Sequence, residues 1–154
     1  MVKAKTLKIP TESAVKRMPA KDYMCKGMLL FFKQRLEELR EEAIDDIAKY
    51  KAQIGDLEGS TEIVDMAMRQ EQLQQSLKRM ERQSNHISKI DAAIRRILEG
   101  EYGYCESSGE PIGVLRLLAR PTATLSIESK EDQELIERTE GNRRDFVNDE
   151  NNEG

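Results

Sequence analysis

The chain is predicted to be mostly α: a long antiparallel coiled-coil hairpin, a small globular module laid out like a degenerate zinc finger, and a C-terminal helix. Three observations predict this. Apolar residues recur three or four positions apart through two stretches of about 30 residues, separated by a break rich in glycine and hydroxyl side chains. Charged residues make up 35% of the chain and aromatics 5%, with no Trp, which favours helices with wide solvated faces over a compact α/β enzyme. Between Gly100 and Lys130 the spacing is that of a four-cysteine finger, with one pair at Cys105 and Ser108 and the other at Ser126 and Ser129.

Residues 1–22 hold two prolines, several lysines and no sustained period, so an extended arm is expected, with one short helix near Glu12 to Arg17. The hairpin spans 23–100. Its first seam is Leu29, Phe32, Leu36, Leu39, Ala43, Ile47, Tyr50 and Ile54. The run from Gly55 to Thr61 reads as a helix stop, a turn and a new N-cap, which puts the tip near 55–67. The second seam is Leu73, Leu77, Met80, Ile87, Ile90, Ile94 and Ile97, and Gly100 ends it. At ~1.5 Å rise per residue the arm is roughly 45 Å long. Residues 101–130 form the finger-like module. A helix over 131–141 follows, capped by Ser129, ended by Gly141, with Leu135 and Ile136 as an apolar docking side. Residues 142–154 are acidic and expected to be a disordered tail.

A structural zinc needs four soft or borderline ligands, and one thiolate with three neutral hydroxyls is a poor set. The expectation is therefore no structural zinc. Losing that metal removes on the order of 10 kcal/mol of apparent binding energy. Ile112, Leu115, Leu125 and Ile127 are expected to fill the space, Ser108 to close the turn before Gly109, and Ser129 to cap the last helix.

Charge is uneven. Net charge is −4, which argues against general duplex binding. Residues 1–26 carry seven Lys/Arg and two acids, while residues 131–154 carry nine acids and three Arg. Cys25 and Cys105 lie far apart and suggest no disulfide framework. No apolar run approaches membrane-spanning length, and no signal-peptide pattern follows the basic start. The expectation is a cytoplasmic protein.

The residues YGYCESSGEPIGVLRLLARPTATLSIESK resemble the globular module of the DksA/TraR family of bacterial transcription factors. The shared elements are the YGYC entry, the SG-x-x-IG turn, the RL-x-ARPTA segment and the paired closing positions. The likeness extends upstream through both helices, from about Tyr23 to Glu140. With three ligand positions occupied by serine, the chain resembles the zinc-independent, cysteine-poor members. The resemblance implies a monomeric regulator, not an enzyme. Such a protein enters the secondary channel of bacterial RNA polymerase and, with the alarmone ppGpp, destabilises promoter complexes in the stringent response. It does not bind DNA sequence-specifically.

That resemblance also assigns roles residue by residue. Glu62, Asp65 and Ala67 match the family's acid-x-x-Asp-x-Ala tip, which works near the polymerase active site, with Glu62 one methylene longer than the family Asp. Arg82 matches a contact to the polymerase rim. Lys89, Arg120 and Lys130 match the set that helps bind ppGpp, a chemistry suited to cations and bidentate Arg forks. From spacing alone, Glu62 and Asp65 also read as acids complementing a helix N-terminus, and Lys89, Arg120 and Lys130 as three solvated surface charges. His86 replaces a usually aliphatic family position; it is a surface residue or a tuner of phosphate binding below pH ~6.5. Two other functions stay open: a Gre-like transcript-cleavage factor whose tip acids share a Mg2+, and a coiled-coil adaptor or thiol redox sensor built on Cys105.

Overall fold

The structure, a computed structural model, describes the backbone of residues 8–59 and 66–150 and side chains as far as residue 140. The chain divides into two compact units, Met1–Tyr102 and Gly103–Gly154.

The first unit opens with α1 (Glu12–Arg17), the short helix expected from the sequence. Thr11 is its N-cap, and its hydroxyl accepts the Ala14 N–H at 3.3 Å. Val15 is the one fully buried residue of this helix. A single 3₁₀ turn (Ala20–Asp22) follows. Met24 then takes a left-handed conformation, φ 55°, and its N–H donates to Met28 Sδ at 3.4 Å.

Two helices of 34 residues each make the hairpin, α2 (Lys26–Gly59) and α3 (Met66–Glu99). At ~1.5 Å per residue each is roughly 50 Å long. They pack side by side. α2 runs through Gly55 to Gly59, beyond the expected stop. A glycine inside a helix costs about 1 kcal/mol relative to Ala but does not break it, and the space around Gly55 is open. The expected turn and N-cap at Ser60 and Thr61 lie outside the described residues.

The core of this unit sits at the hairpin's base. Met28, Phe32, Leu36 and Ala43 of α2 are buried against Ile90 and Ala93 of α3. Leu39, Ile47, Tyr50 and Ile54 are half-buried seam residues as expected, while Met28 and not Leu29 is the deepest residue of its turn. On α3 one expected seam residue is wrong: Leu77 is 50% exposed. Seam steps in a coiled coil alternate between three and four. The run Leu73, Ser76, Met80, Gln83, Ile87, Ile90, Ile94, Ile97 keeps that alternation, so position 76 faces α2 and position 77 falls on the flank. Ser76 is 6% exposed.

Polar ties bridge the two helices. Arg40 Nε donates to Asp91 Oδ1 at 2.8 Å, and Gln83 Nε2 donates to Asp46 Oδ2 at 3.3 Å. Both members of the Arg40–Asp91 ion pair are more than a third exposed, so solvent screening keeps its contribution under about 1 kcal/mol. The base is finished by Gly100, whose φ of +79° lets the chain reverse out of α3. Gly100 N–H donates to the Ile97 carbonyl at 3.3 Å, and Glu101 N–H donates to the Arg96 carbonyl at 2.9 Å, the two bonds of a Schellman cap. Tyr102 then turns inward, 1% exposed, with its ring centroid 5.6 Å from that of Phe32. Burial pushes its phenol pKa well above the ordinary value.

The second unit holds a turn closed by an antiparallel bridge between Tyr104 and Pro111, the short helix α4 (Val114–Ala119) and α5 (Ile127–Glu150). Two expectations fail here. Leu115 and Ile127 are exposed and cannot fill a vacated metal site; Ile112 and Leu117 are buried, and Leu125 is half-buried. Leu135 and Ile136 are also exposed, so the expected docking side is not covered. Two apolar residues flanked by charges cannot make a buried stripe on a helix. α5 starts at Ile127, earlier than expected, and its backbone continues past Gly141.

These packing differences give a direct test by denaturant unfolding. Phe32→Ala removes a fully buried ring and its contact with Tyr102, and should cost about 3–5 kcal/mol. Leu77→Ala should change stability by less than about 0.5 kcal/mol. Equal losses would put position 77 back on the seam.

Candidate functional site

The finger's four ligand positions are brought together by two separate backbone devices. The first is the tight turn over Cys105 to Glu110. Gly109, at φ +74°, donates its N–H to the Cys105 carbonyl at 2.8 Å, and Cys105 N–H donates to the Glu110 carbonyl at 2.8 Å. The Ser108 hydroxyl accepts the Glu110 N–H at 3.4 Å, so Ser108 closes the turn as expected.

The second device is the start of α5. Its cap is Ser126, not Ser129: the Ser126 hydroxyl accepts the Ser129 N–H at 3.2 Å. That frees the Ser129 side chain to face the first pair. Ser126 Oγ donates to Ser129 Oγ at 3.1 Å, and Cys105 Sγ donates to Ser129 Oγ at 3.3 Å. Glu106 N–H donates to the Thr124 carbonyl at 2.9 Å and ties the two devices together.

The site is therefore a hydrogen-bonded chain of one thiol and hydroxyls, with Cys105 buried at 3% exposure. This donor set does not fit a structural zinc. A hydroxyl is a poor ligand unless deprotonated, and Ser126 and Ser129 already bond each other, so no tetrahedron of soft donors exists. Among the described residues no group of three or more His, Cys, Asp or Glu side chains could hold a metal ion.

The same hydroxyls act on the thiol. When the thiol ionises, hydrogen bonds donated to the sulfur by Ser108 and then Ser129 hold the Cys105 pKa down to about 5, against the opposing effect of burial, with backbone bonds at Ser126 and Ser108 adding to the lowering. Reactivity also requires access, and 3% exposure withholds it. Cys25 sits half-buried just ahead of α2, with its carbonyl accepting the Leu29 N–H at 2.9 Å.

Of the residues assigned by resemblance, Glu62 and Asp65 lie outside the described residues. Ala67 is exposed in the first turn of α3. Arg82 and Lys89 are exposed on α3, seven residues apart and therefore on one face. His86 is half-buried on the same helix. In the second unit, Arg120 caps the C-terminus of α4, its N–H donating to the Arg116 carbonyl at 2.7 Å. Lys130, in the first turn of α5, pairs with Glu134 at 3.8 Å. The sequence reading missed Arg116, whose Nε donates to the Leu125 carbonyl at 2.9 Å and fixes the segment that carries Ser126.

The fold and site define the class: a two-helix hairpin followed in the chain by a finger-like module closed at Cys105, Ser108, Ser126 and Ser129. Residues 100–135 match the family described as prokaryotic dksA/traR C4-type zinc finger. The RNA polymerase-binding transcription factor DksA of Caulobacter vibrioides is 40% identical over 123 residues, spanning 78% of this chain and 87% of that protein. The factor of the same name from Escherichia coli K12 is 32% identical over 121 residues, 78% of this chain and 80% of that one. The structure of transcription factor DksA2 from Pseudomonas aeruginosa superposes with a TM-score of 0.78 at 41% identity, covering 82% of this chain and 98% of that one. The chain belongs to the DksA/TraR family.

The thiol makes a prediction. In protein carrying Cys25→Ala, thiolate absorbance should rise with a midpoint near pH 5, and Ser108→Ala should move that midpoint upward. Because the folded value lies below the ordinary 9.0, the folded state sheds this proton first. Its stabilising contribution is full above pH ~9, shrinks as pH falls, and is gone below about 5. A midpoint near that of a free thiol would refute the hydrogen-bond account.

Proposed function

We propose that this protein is a transcription regulator that binds bacterial RNA polymerase in the secondary channel, and that it does so with ppGpp and without zinc. The observation that carries this is the 40% identity, across 78% of the chain, to a protein named for binding RNA polymerase. Both halves of the chain fit the reading. The hairpin supplies a reach of roughly 50 Å, and the hydrogen bonds among Cys105, Ser126 and Ser129 support a finger that folds without zinc.

In this reading Glu62, Asp65 and Ala67 enter the channel and act near the active site without catalysing a reaction. Arg82 touches the rim. Lys89, Arg120 and Lys130 present cations to ppGpp at the interface with polymerase. Phosphates favour cations, and the Arg120 fork adds bidentate geometry. The protein works in the cytoplasm as a monomer and makes no sequence-specific DNA contact. Destabilised promoter complexes are the outcome, most of all at promoters for stable RNAs.

Transcription from a ribosomal-RNA promoter with cognate polymerase, in zinc-free buffer, tests the proposal. Wild-type protein should inhibit, ppGpp should deepen inhibition, and Asp65→Asn should abolish it. Arg120→Ala should keep basal inhibition and lose the ppGpp response. A folded protein that leaves transcription unchanged would overturn the reading.

A further inference from the structure

The two halves of the hairpin are built from different chemistry. At the base, Met28, Phe32, Leu36 and Ala43 meet Ile90 and Ala93, all buried. Beyond Ala43 on α2, and before Ile90 on α3, Ser76 is the only buried side chain among the described residues. Ile47, Ile54, Leu73 and Met80 are only half-buried there. What crosses between the helices in this stretch is polar: the Gln83–Asp46 bond at 3.3 Å, and the Arg79 guanidinium 5.9 Å over the Tyr50 ring. Beside Ser76 lies an unfilled groove of about 460 Å³, lined by Gln53, Leu57, Gln72 and Arg79 among others.

A serine at a seam position leaves the volume of a larger side chain empty. It also brings a hydroxyl that bonds water as readily as protein. Polar ties that water can replace add little to the closed state of the distal arm.

We propose that the hairpin is divided at Asp46 and Gln83 into a packed base and a distal arm that opens and recloses on its own. The distal arm's angle to the base is then set by what the arm meets. Any effect of this on transcription rests on the polymerase reading above; the opening itself does not.

Hydrogen exchange on the full chain tests it. Amides at 47–58 and 69–82 should exchange at least about tenfold faster than those at 30–43 and 87–97, with a step near Asp46 and Gln83. Fraying alone would give a smooth decline toward the tip. Leu73→Ala should speed exchange in the distal segments and leave the base unchanged. Ser76→Leu combined with Gln83→Leu should remove the step. Uniform protection along both helices, a smooth decline, or a Leu73→Ala effect that spreads equally to the base would overturn the proposal. If the step is found but the protein never alters transcription, the divided hairpin stands and the polymerase reading falls.

Discussion

The finger depends on one contact, the meeting of Cys105 with Ser129. Ser129 can reach it only because Ser126 takes the N-cap of α5 and turns the first helical turn toward the Cys105–Glu110 loop. In a metal finger, four strong bonds would hold these two loops whatever the surroundings. Hydrogen bonds are weaker and more local, those between neutral hydroxyl and backbone groups each with a net worth of about 1 kcal/mol, so a module held by them must already place the partners. The backbone bond from Glu106 to Thr124, the Arg116 brace on Leu125, and buried Ile112 and Leu117 supply that placement.

The hairpin solves a different problem. A two-helix arm cannot surround its own core, so it concentrates its apolar residues where most neighbours meet. Phe32, Leu36 and Ile90 do this at the base, with Tyr102 added from beyond the Schellman turn. Further out, the arm leaves its seam half-covered. That is the expected cost of a long, thin element whose surface is available to a partner.

Much of this was legible in the residues. Periodicity placed both long helices, and Gly100 marked an end that the structure keeps. The degenerate ligand set was visible from spacing alone, as was the Ser108 turn. What periodicity missed has a physical reason. Leu77 is more apolar than Ser76, so a reading by residue type preferred it, while the alternation of seam steps chooses Ser76. Ser126 and Ser129 are both plausible caps in sequence, and only the contact with Cys105 distinguishes them. Leu115, Ile127, Leu135 and Ile136 were expected inside because they are apolar, yet a small module has too little interior for all of them. The tip acids Glu62 and Asp65 were assigned by resemblance, and their roles await the transcription assay.

The most direct test of the central claim is the metal content of the folded finger. Purified protein would be exchanged into strong chelator, weighed intact by native mass spectrometry, and its amide NMR spectrum compared before and after. The account predicts the mass of the bare chain, with resonances of residues 103–130 dispersed and unmoved by the chelator. A bound zinc, or collapse of those resonances on chelation, would contradict it.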